Sequence, residues 1–172
     1  MKEVAIFLES ATFKKIYFVI FLVLLLLGMY IVIDPEPFLK LGYLGVFIFN
    51  FLGGLGSYLI PSLSQKMDLI SLSFATALGM VLNDTISFVA GRGSTAIIQK
   101  GEWINRAEKL INRFGSPALF VISALPVPYD AIGLISGYLG VKYRNFFLAT
   151  FAGKFLRMIL IGIGTKQLIK LF

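Results

Sequence analysis

The stretch that decides the fold reads FGSPALFVISALPVPYDAIGLISGYLGV and covers residues 114–141. It contains one charge, Asp130, and is apolar enough for a bilayer, but its 28 residues are too many for one untilted span. Pro126 and Pro128 interrupt it near the middle, because proline removes a backbone donor and clashes with the preceding helical turn. The pattern therefore predicts two short helical arms that turn back within the membrane.

The rest of the chain has the same apolar character. Of its 172 residues, 58% are hydrophobic and 15% charged, and the mean hydropathy is +0.87, which excludes an ordinary soluble domain. A net charge of +7 in such a chain is typical of basic cytoplasmic loops rather than of nucleic-acid binding. Because the sequence has no Cys and no His, we predict no metal site, no cofactor and no enzymatic activity.

A first membrane-spanning helix is predicted over residues 16–33, because eighteen residues without a charge extend for about 27 Å. Lys14 and Lys15 precede this segment and acidic residues follow it. The positive-inside rule then places the N-terminus in the cytoplasm of a multi-pass cell-membrane protein. Residues 1–15 have one apolar helical face, which is typical of an interfacial helix; a frayed tail is the alternative.

A second interrupted segment covers residues 41–63, which are uncharged but include Asn50. Its helix-breaking residues are Gly53, Gly54, Gly56 and Pro61. We expect two short arms here as well, because these residues end helices rather than extend them. Uninterrupted spans are predicted over residues 67–90 and 145–165, and an amphipathic cytoplasmic helix over residues 100–114.

The distribution of basic residues indicates whether the two interrupted segments cross the membrane or turn back. If both turn back, ten basic residues lie inside and four outside, whereas if both cross the numbers become six and eight. The positive-inside rule favours turning back. The predicted fold is an all-α integral membrane protein with two opposed re-entrant hairpins, each followed by a spanning helix, in an inverted repeat. Two unrelated pairs of hairpin and helix are the alternative.

Two local patterns identify a family. One pattern comprises Gly79, Asp84, Phe88, Gly91, Arg92 and Gly93. The other comprises Pro126, Ser136, Gly137, Phe146 or Phe147, and Gly153. On these residues the chain resembles the DedA or VTT-domain membrane proteins, also called SNARE-associated Golgi-protein homologues, over about residues 41–165. The run ALPVPYD at residues 124–130 resembles the small prokaryotic branch of this family.

The resemblance implies movement of lipids, since bacterial members are similar to flippases for polyprenyl phosphate or phospholipid and eukaryotic relatives to scramblases. It also implies two opposed re-entrant hairpins packed between helices. Many members carry an arginine three residues before and three residues after the hairpin proline, where this chain has Ser123 and Tyr129. The usual carboxylates of the first hairpin are absent as well, so the resemblance does not extend proton coupling through those groups to this chain.

Charged residues inside a bilayer are costly and therefore usually mark a functional site. The predicted headgroup path comprises Asp130, Lys154, Arg157, Asp84, Arg92 and Asn50. Lys154 and Arg157 are three residues apart on one helix and share a face, which we expect to meet Asp130 at the tip of the second hairpin. An ion pair that only holds hairpin and helix together is the alternative.

Small or polar residues recur at every fourth position along residues 71–91. They are Ser71, Ala75, Gly79, Asn83, Ser87 and Gly91. Such a stripe is more typical of a helix packing seam than of a polar path.

The leading functional hypothesis is a transporter of lipid or lipid-linked phosphate, because an arginine guanidinium matches phosphate oxygens well. One alternative is a proton- or ion-coupled transporter of small solutes that uses Asp84 and Asp130. Another is a membrane assembly or scaffold protein with structural charges. No catalytic residue and no nucleic-acid partner are predicted; membrane lipids are the expected partners, and homo-oligomer formation is left open.

Overall fold

The structure of the protein is a computed structural model, which describes residues 36–53, 56–93, 102–127 and 129–171 and five residues between 19 and 30. The five residues, all helical and exposed, are Val19, Leu22, Val23, Leu26 and Tyr30. The predictions for residues 1–15, for the rest of 16–33, and for Gly54 and Pro128 lie outside the described residues, as do the side chains of residues 37, 38, 103 and 104.

The described ranges from residue 36 onwards form seven helices and no strand. The helices are α1 (Glu36–Phe51), α2 (Gly56–Leu63), α3 (Leu69–Gly93), α4 (Glu102–Phe114), α5 (Ser116–Ala124), α6 (Asp130–Tyr138) and α7 (Tyr143–Leu171). The all-helical class agrees with the sequence-based prediction.

Two of these helices, α3 and α7, are long and apolar enough to span a membrane. They contain 25 and 29 residues, or about 38 Å and 44 Å of helix. Large apolar side chains such as Phe74, Ile86, Leu148 and Leu160 are exposed along them. Apolar side chains on outward faces are stable in lipid but not in water, so both helices have the surface of a membrane protein.

Both interruptions expected from the sequence are present. Helices α1 and α2 are separated by a turn in which Gly53 has a φ of 95°, a conformation that favours glycine. Helices α5 and α6 are separated by the segment that contains Pro126. Since α2 has eight residues and α5 and α6 have nine each, each is about 12–14 Å long and too short to cross a bilayer alone.

Pro61 does not act as the predicted break, since it lies inside α2. A proline in a helix removes one intrahelical hydrogen bond, and α2 retains its shape because its apolar side chains are firmly packed. Leu59, Ile60 and Leu63 are all buried.

By its internal contacts, the chain divides into two compact units. The first comprises Met1–Met80 and Met158–Phe172. Its core contains Val46, Phe49, Leu59, Ile60, Leu63, Leu72, Ala75 and Met158. Gly79 of α3 packs on the backbone of Phe47 and the side chain of Asn50 in α1. Gly79 is therefore a packing position in this unit, as the small-residue stripe predicts, whereas Ser71 at the start of the stripe is exposed.

The second unit comprises Val81–Arg157 and is centred on the interrupted pair α5 and α6. Its core contains Phe88, Ala107, Ile111, Leu119, Ile122, Tyr129, Ile132, Ile135 and Phe146. Helix α4 contacts both α5 and α6, burying Ala107 and Ile111 while Arg106, Lys109 and Arg113 stay exposed. The amphipathic helix expected between residues 100 and 114 thus places part of its apolar face on protein.

Helices α3 and α6 approach each other closely through glycine. A Cβ atom on Gly137 would overlap the carbonyl oxygen of Phe88, and one on Gly91 would overlap the carbonyl oxygen of Leu134. Gly133, one turn before Gly137, packs on the backbone of Asp84. Small residues at four-residue spacing allow helix backbones to approach in this way, and here they decide which part of α3 faces the interrupted pair.

The substitution Gly137→Ala is expected to lower the free energy of unfolding by about 1–3 kcal/mol, because the added methyl group must displace backbone. Thermal unfolding in detergent measures the change. Gly164→Ala is the matched control, since a Cβ at Gly164 meets no atom within 4 Å and alanine favours a helix. Equal melting temperatures for the two variants would contradict the close contact between α3 and α6.

Asp68 caps the N-terminus of α3 from a position just outside the span. The N–H of Ser71 donates a 2.8 Å hydrogen bond to Oδ2 of Asp68, and the N–H of Asp68 donates to the Tyr43 hydroxyl at 3.2 Å. The hydrogen bonds from Ser71 hold the pKa of the Asp68 carboxyl below its usual value, because they favour the ionised form.

A lowered pKa in the folded state means that ionised Asp68 stabilises the fold above its unfolded pKa, and that this contribution is lost as the pH falls through the folded pKa. Asp68→Asn keeps a capping acceptor but cannot be protonated, so its melting temperature should fall less than that of the wild type as the pH is lowered. Asp68→Ala removes the acceptor and should lower the melting temperature even at neutral pH. Melting curves recorded between acidic and neutral pH test this, and an Asp68→Ala protein as stable as wild type at neutral pH would contradict the cap.

Candidate functional site

A buried ion pair joins the two long helices within the second unit. Nζ of Lys154 on α7 lies 2.5 Å from Oδ2 of Asp84 on α3. The two side chains are only 3% and 6% exposed. A buried charge without a counter-ion is strongly unfavourable, so each of these residues makes the other tolerable in an apolar interior.

Glycines next to the pair bring the surrounding helices close to it. Gly133 of α6 packs on the carbonyl of Asp84. Gly153 of α7, directly before Lys154, packs on Phe120, Ser123 and Ala124 of α5, where a side chain would collide with backbone. The pair therefore lies where α3 and α7 meet the two short helices α5 and α6.

Tyr129, at the end of the break between α5 and α6, contacts the Lys154 ammonium. Nζ lies 4.8 Å from the centre of the Tyr129 ring, a cation–π distance. The Tyr129 hydroxyl shares a 2.7 Å hydrogen bond with Oγ1 of Thr150. Thr150, Lys154 and Arg157 occur at spacings of four and three on α7, so one helix face carries all three.

Arg157 binds the break itself. Its Nη1 donates a 2.8 Å hydrogen bond to the carbonyl oxygen of Leu125. Leu125 follows the last residue of α5, and carbonyls at a helix end lack intrahelical donors. The break thus presents a backbone acceptor, and α7 supplies a guanidinium to it.

The shared face of Lys154 and Arg157 meets the break between α5 and α6 as expected, but the carboxylate that it meets is that of Asp84. Asp130 was the predicted partner, yet it is the first residue of α6 and is exposed. A carboxylate in the first turn interacts favourably with the helix dipole while remaining solvated. Asp84 takes the buried position because the glycines of α6 bring that turn of α3 to the site.

Arg92 and Asn50 do not join this ion pair. The Arg92 guanidinium donates to the carbonyl of Val141 at 3.0 Å and lies 5.2 Å from the centre of the Phe88 ring, and so helps to hold the end of α3. Asn50 belongs to the first unit, where its Nδ2 donates to the carbonyl of Val46 at 2.7 Å.

Sequence reasoning did not assign a role to Tyr129 or Ser123, which occupy the two positions where the resemblance leads one to expect arginines. Both are buried, and the Ser123 hydroxyl donates to the carbonyl of Phe120 at 2.9 Å. The sequence does contain a signal for the contacts of Tyr129. Thr150 and Lys154 are spaced to share one helix face, which indicates a polar partner near residue 150. The cations of this site come from α7 instead of from the segment that joins α5 and α6.

Within the described ranges, no group of three or more His, Cys, Asp or Glu side chains is arranged to hold a metal ion. The ionised groups packed into the site are the Asp84 carboxylate, the Lys154 ammonium and the Arg157 guanidinium, and the exposed Asp130 carboxylate acts electrostatically on the first two. The ammonium and the guanidinium are suited to donating hydrogen bonds to the oxygen atoms of an anion.

The sequence profile of the VTT domain matches residues 17–166. The chain belongs to the VTT-domain family. No curated protein and no solved structure matches it.

In this VTT-domain protein the ion pair, Arg157 and the break between α5 and α6 all lie inside the matched region. The resemblance to the DedA and VTT-domain proteins is thereby confirmed. The family is membrane-associated and broadly linked to transport, in agreement with the two helices long and apolar enough to span a bilayer.

Asp84→Asn is expected to lower the free energy of unfolding by about 3–5 kcal/mol, because it leaves the Lys154 ammonium buried without its counter-ion. Lys154→Met should be similarly damaging alone, while the double variant should recover much of the loss. Thermal unfolding of all three variants in detergent gives the coupling free energy between Asp84 and Lys154. Asp130→Asn is the control and should change stability little; a larger effect from Asp130→Asn than from Asp84→Asn would refute the pairing.

Proposed function

We propose that this protein moves a lipid or lipid-linked phosphate between the leaflets of the cell membrane. The observation that carries the proposal is the contact of Arg157 with the backbone carbonyl of Leu125 at the break between α5 and α6, beside the buried pair of Asp84 and Lys154. The exposed Asp130 carboxylate also acts electrostatically on the pair, and Asp84, Lys154 and Arg157 by themselves carry a net positive charge. A phosphate that enters the membrane needs such a charge, because hydrocarbon offers no solvation to an anion.

The roles of the two cations differ. Lys154 is held by a carboxylate and an aromatic ring, so it neutralises Asp84 and holds α7 against α3. Arg157 donates to a neutral backbone carbonyl, an acceptor that a phosphate oxygen replaces with a stronger, charge-assisted hydrogen bond. The guanidinium therefore binds the headgroup in passing and returns to Leu125 when the headgroup leaves. No covalent step is part of this proposal.

The topology proposed for this function is a pair of opposed re-entrant hairpins, α1 with α2 and α5 with α6, related as an inverted repeat. The shortness of α2, α5 and α6 supports turning back, and so does the excess of basic residues that this topology leaves in the cytoplasm with the N-terminus. A headgroup then follows the polar break while its acyl chains stay in the bilayer. Broken helices at mid-membrane supply the polar atoms of many transporter sites in this way.

Reconstitution in liposomes with a fluorescent phospholipid tests the function, and a fluorescent polyprenyl phosphate tests the second substrate class. The wild-type protein should accelerate leaflet exchange over empty vesicles. Arg157→Gln should slow exchange by about tenfold or more, since a charge-assisted hydrogen bond contributes about 1.5–3 kcal/mol. The matched control is Lys170→Gln, which removes an exposed charge from the same helix.

Two results would count against the proposal. No acceleration by well-folded wild-type protein would refute lipid movement. Equal exchange rates for Arg157→Gln and wild type, with equal melting temperatures, would refute the role of Arg157.

Ion-coupled transport of a small solute is the second candidate, and the buried acid–base pair of Asp84 and Lys154 favours it. In that case, collapse of an imposed proton gradient would abolish solute uptake, while lipid exchange would not exceed that of empty vesicles. The two candidates are therefore distinguished in the same vesicles.

A further inference from the structure

A groove opens on the surface of the second unit, along the first turns of α5 and α7. Its volume is about 580 Å³, within the range of pockets that bind small organic ligands. Ser116 and Asn145 line it at the start of the two helices, and Pro117, Phe120, Val121 and Leu148 line it further along. Val121 and Leu148 are 55% and 52% exposed, so the groove is apolar over most of its length and polar at one end.

The two helices run parallel, which places both of their N-termini at the polar end. The Ser123 hydroxyl lies 3.5 Å from the carbonyl oxygen of Ala149, and Gly153 packs on Phe120 and Ala124; positions later in α5 thus face positions later in α7. The N–H groups of a helix N-terminus carry a partial positive charge that favours an anion.

Three basic residues lie close in sequence to the same end of the groove. Residues 112–121 and 141–150 contain Arg113, Lys142 and Arg144 and no acidic residue. All three basic side chains are exposed. The Arg113 guanidinium lies over the ring of the adjacent Phe114, 4.9 Å from its centre, and stays exposed. The first turns of α5 and α7 therefore combine nearby exposed bases with an apolar groove, which is complementary to a lipid with a negative headgroup and an acyl chain.

We propose that this groove, formed by Ser116, Pro117, Phe120, Val121, Asn145 and Leu148, binds an anionic phospholipid of the leaflet in which the basic residues lie. The phosphate is held by Arg113 and Arg144, and one acyl chain lies along Val121 and Leu148. The binding is carried by charge and apolar contact, since bases near the surface attract anionic lipids and the exposed side chains of Val121 and Leu148 offer apolar surface to the acyl chain.

The groove and the ion-pair site lie along the same two helices. Asn145 and Lys154 are nine residues apart on α7, about 14 Å along the helix, and Arg157 contacts the opposite end of α5. The groove therefore serves as the entry site for the headgroup path, a role that rests on the proposed function.

The absence of cysteine from the chain allows a site-specific test in the full-length protein. Val121→Cys is labelled with bimane and reconstituted in vesicles that contain brominated phosphatidylglycerol or brominated phosphatidylcholine, whose bromine atoms quench the label on contact. The preference for phosphatidylglycerol should be about fivefold for each basic side chain that contacts the headgroup. Arg113→Gln with Arg144→Gln should bring the preference close to one. Leu160→Cys, an exposed apolar position on α7, is the control and should show no preference.

Equal quenching by the two lipids at position 121, or a preference that survives removal of both arginines, overturns the proposal. A label at position 121 that neither lipid quenches also overturns it, because protein then covers the groove. Leaflet exchange is measured in the same vesicles. Exchange without a lipid preference refutes only this site, and a preference without exchange refutes only the proposed transport and the role of the groove as an entry site.

Discussion

The buried ion pair between Asp84 and Lys154 is the interaction on which the organisation of the second unit depends. Each charge alone would be intolerable in an apolar interior, and together they tie α3 to α7. Tyr129, which lies between α5 and α6, packs its ring against the Lys154 ammonium. The pair thus joins two long helices to a helix break. Its charged groups, which an apolar environment would not solvate, are stabilised there by each other and by Tyr129.

The Leu125 carbonyl at the helix break accepts two hydrogen bonds. Carbonyls at a helix end lack intrahelical donors, and the N–H of Val127 donates to this one at 2.9 Å. Arg157 supplies one donor to Leu125, and this contact is reversible because a stronger acceptor can replace the carbonyl. If Arg157 binds a phosphate as proposed, the residue that holds the helix break is also the phosphate-binding group. Structure and proposed function depend on the same hydrogen bond.

Features that depend on neighbours along the chain could be predicted from the sequence. The interruptions at Gly53 and Pro126 follow from local backbone chemistry, and the common face of Lys154 and Arg157 follows from helical spacing. The partner of Lys154 could not be predicted, because the choice between Asp84 and Asp130 depends on which turn of α3 packs on α6. That packing is decided by Gly133, which sequence reasoning had not connected with either acid. Pro61 shows the same limit, since tertiary packing outweighs the loss of one helical hydrogen bond.

The central claim is that Arg157 exchanges its backbone acceptor for a lipid phosphate. Solid-state NMR of the protein in phospholipid bilayers measures this contact through dipolar dephasing of the Arg157 Cζ resonance by lipid ³¹P. The predicted result is clear dephasing of the Arg157 Cζ resonance. That resonance is assigned by its loss from the spectrum of Arg157→Lys. An Arg157 resonance that phosphorus leaves unaffected, in a sample active in lipid exchange, would contradict the claim.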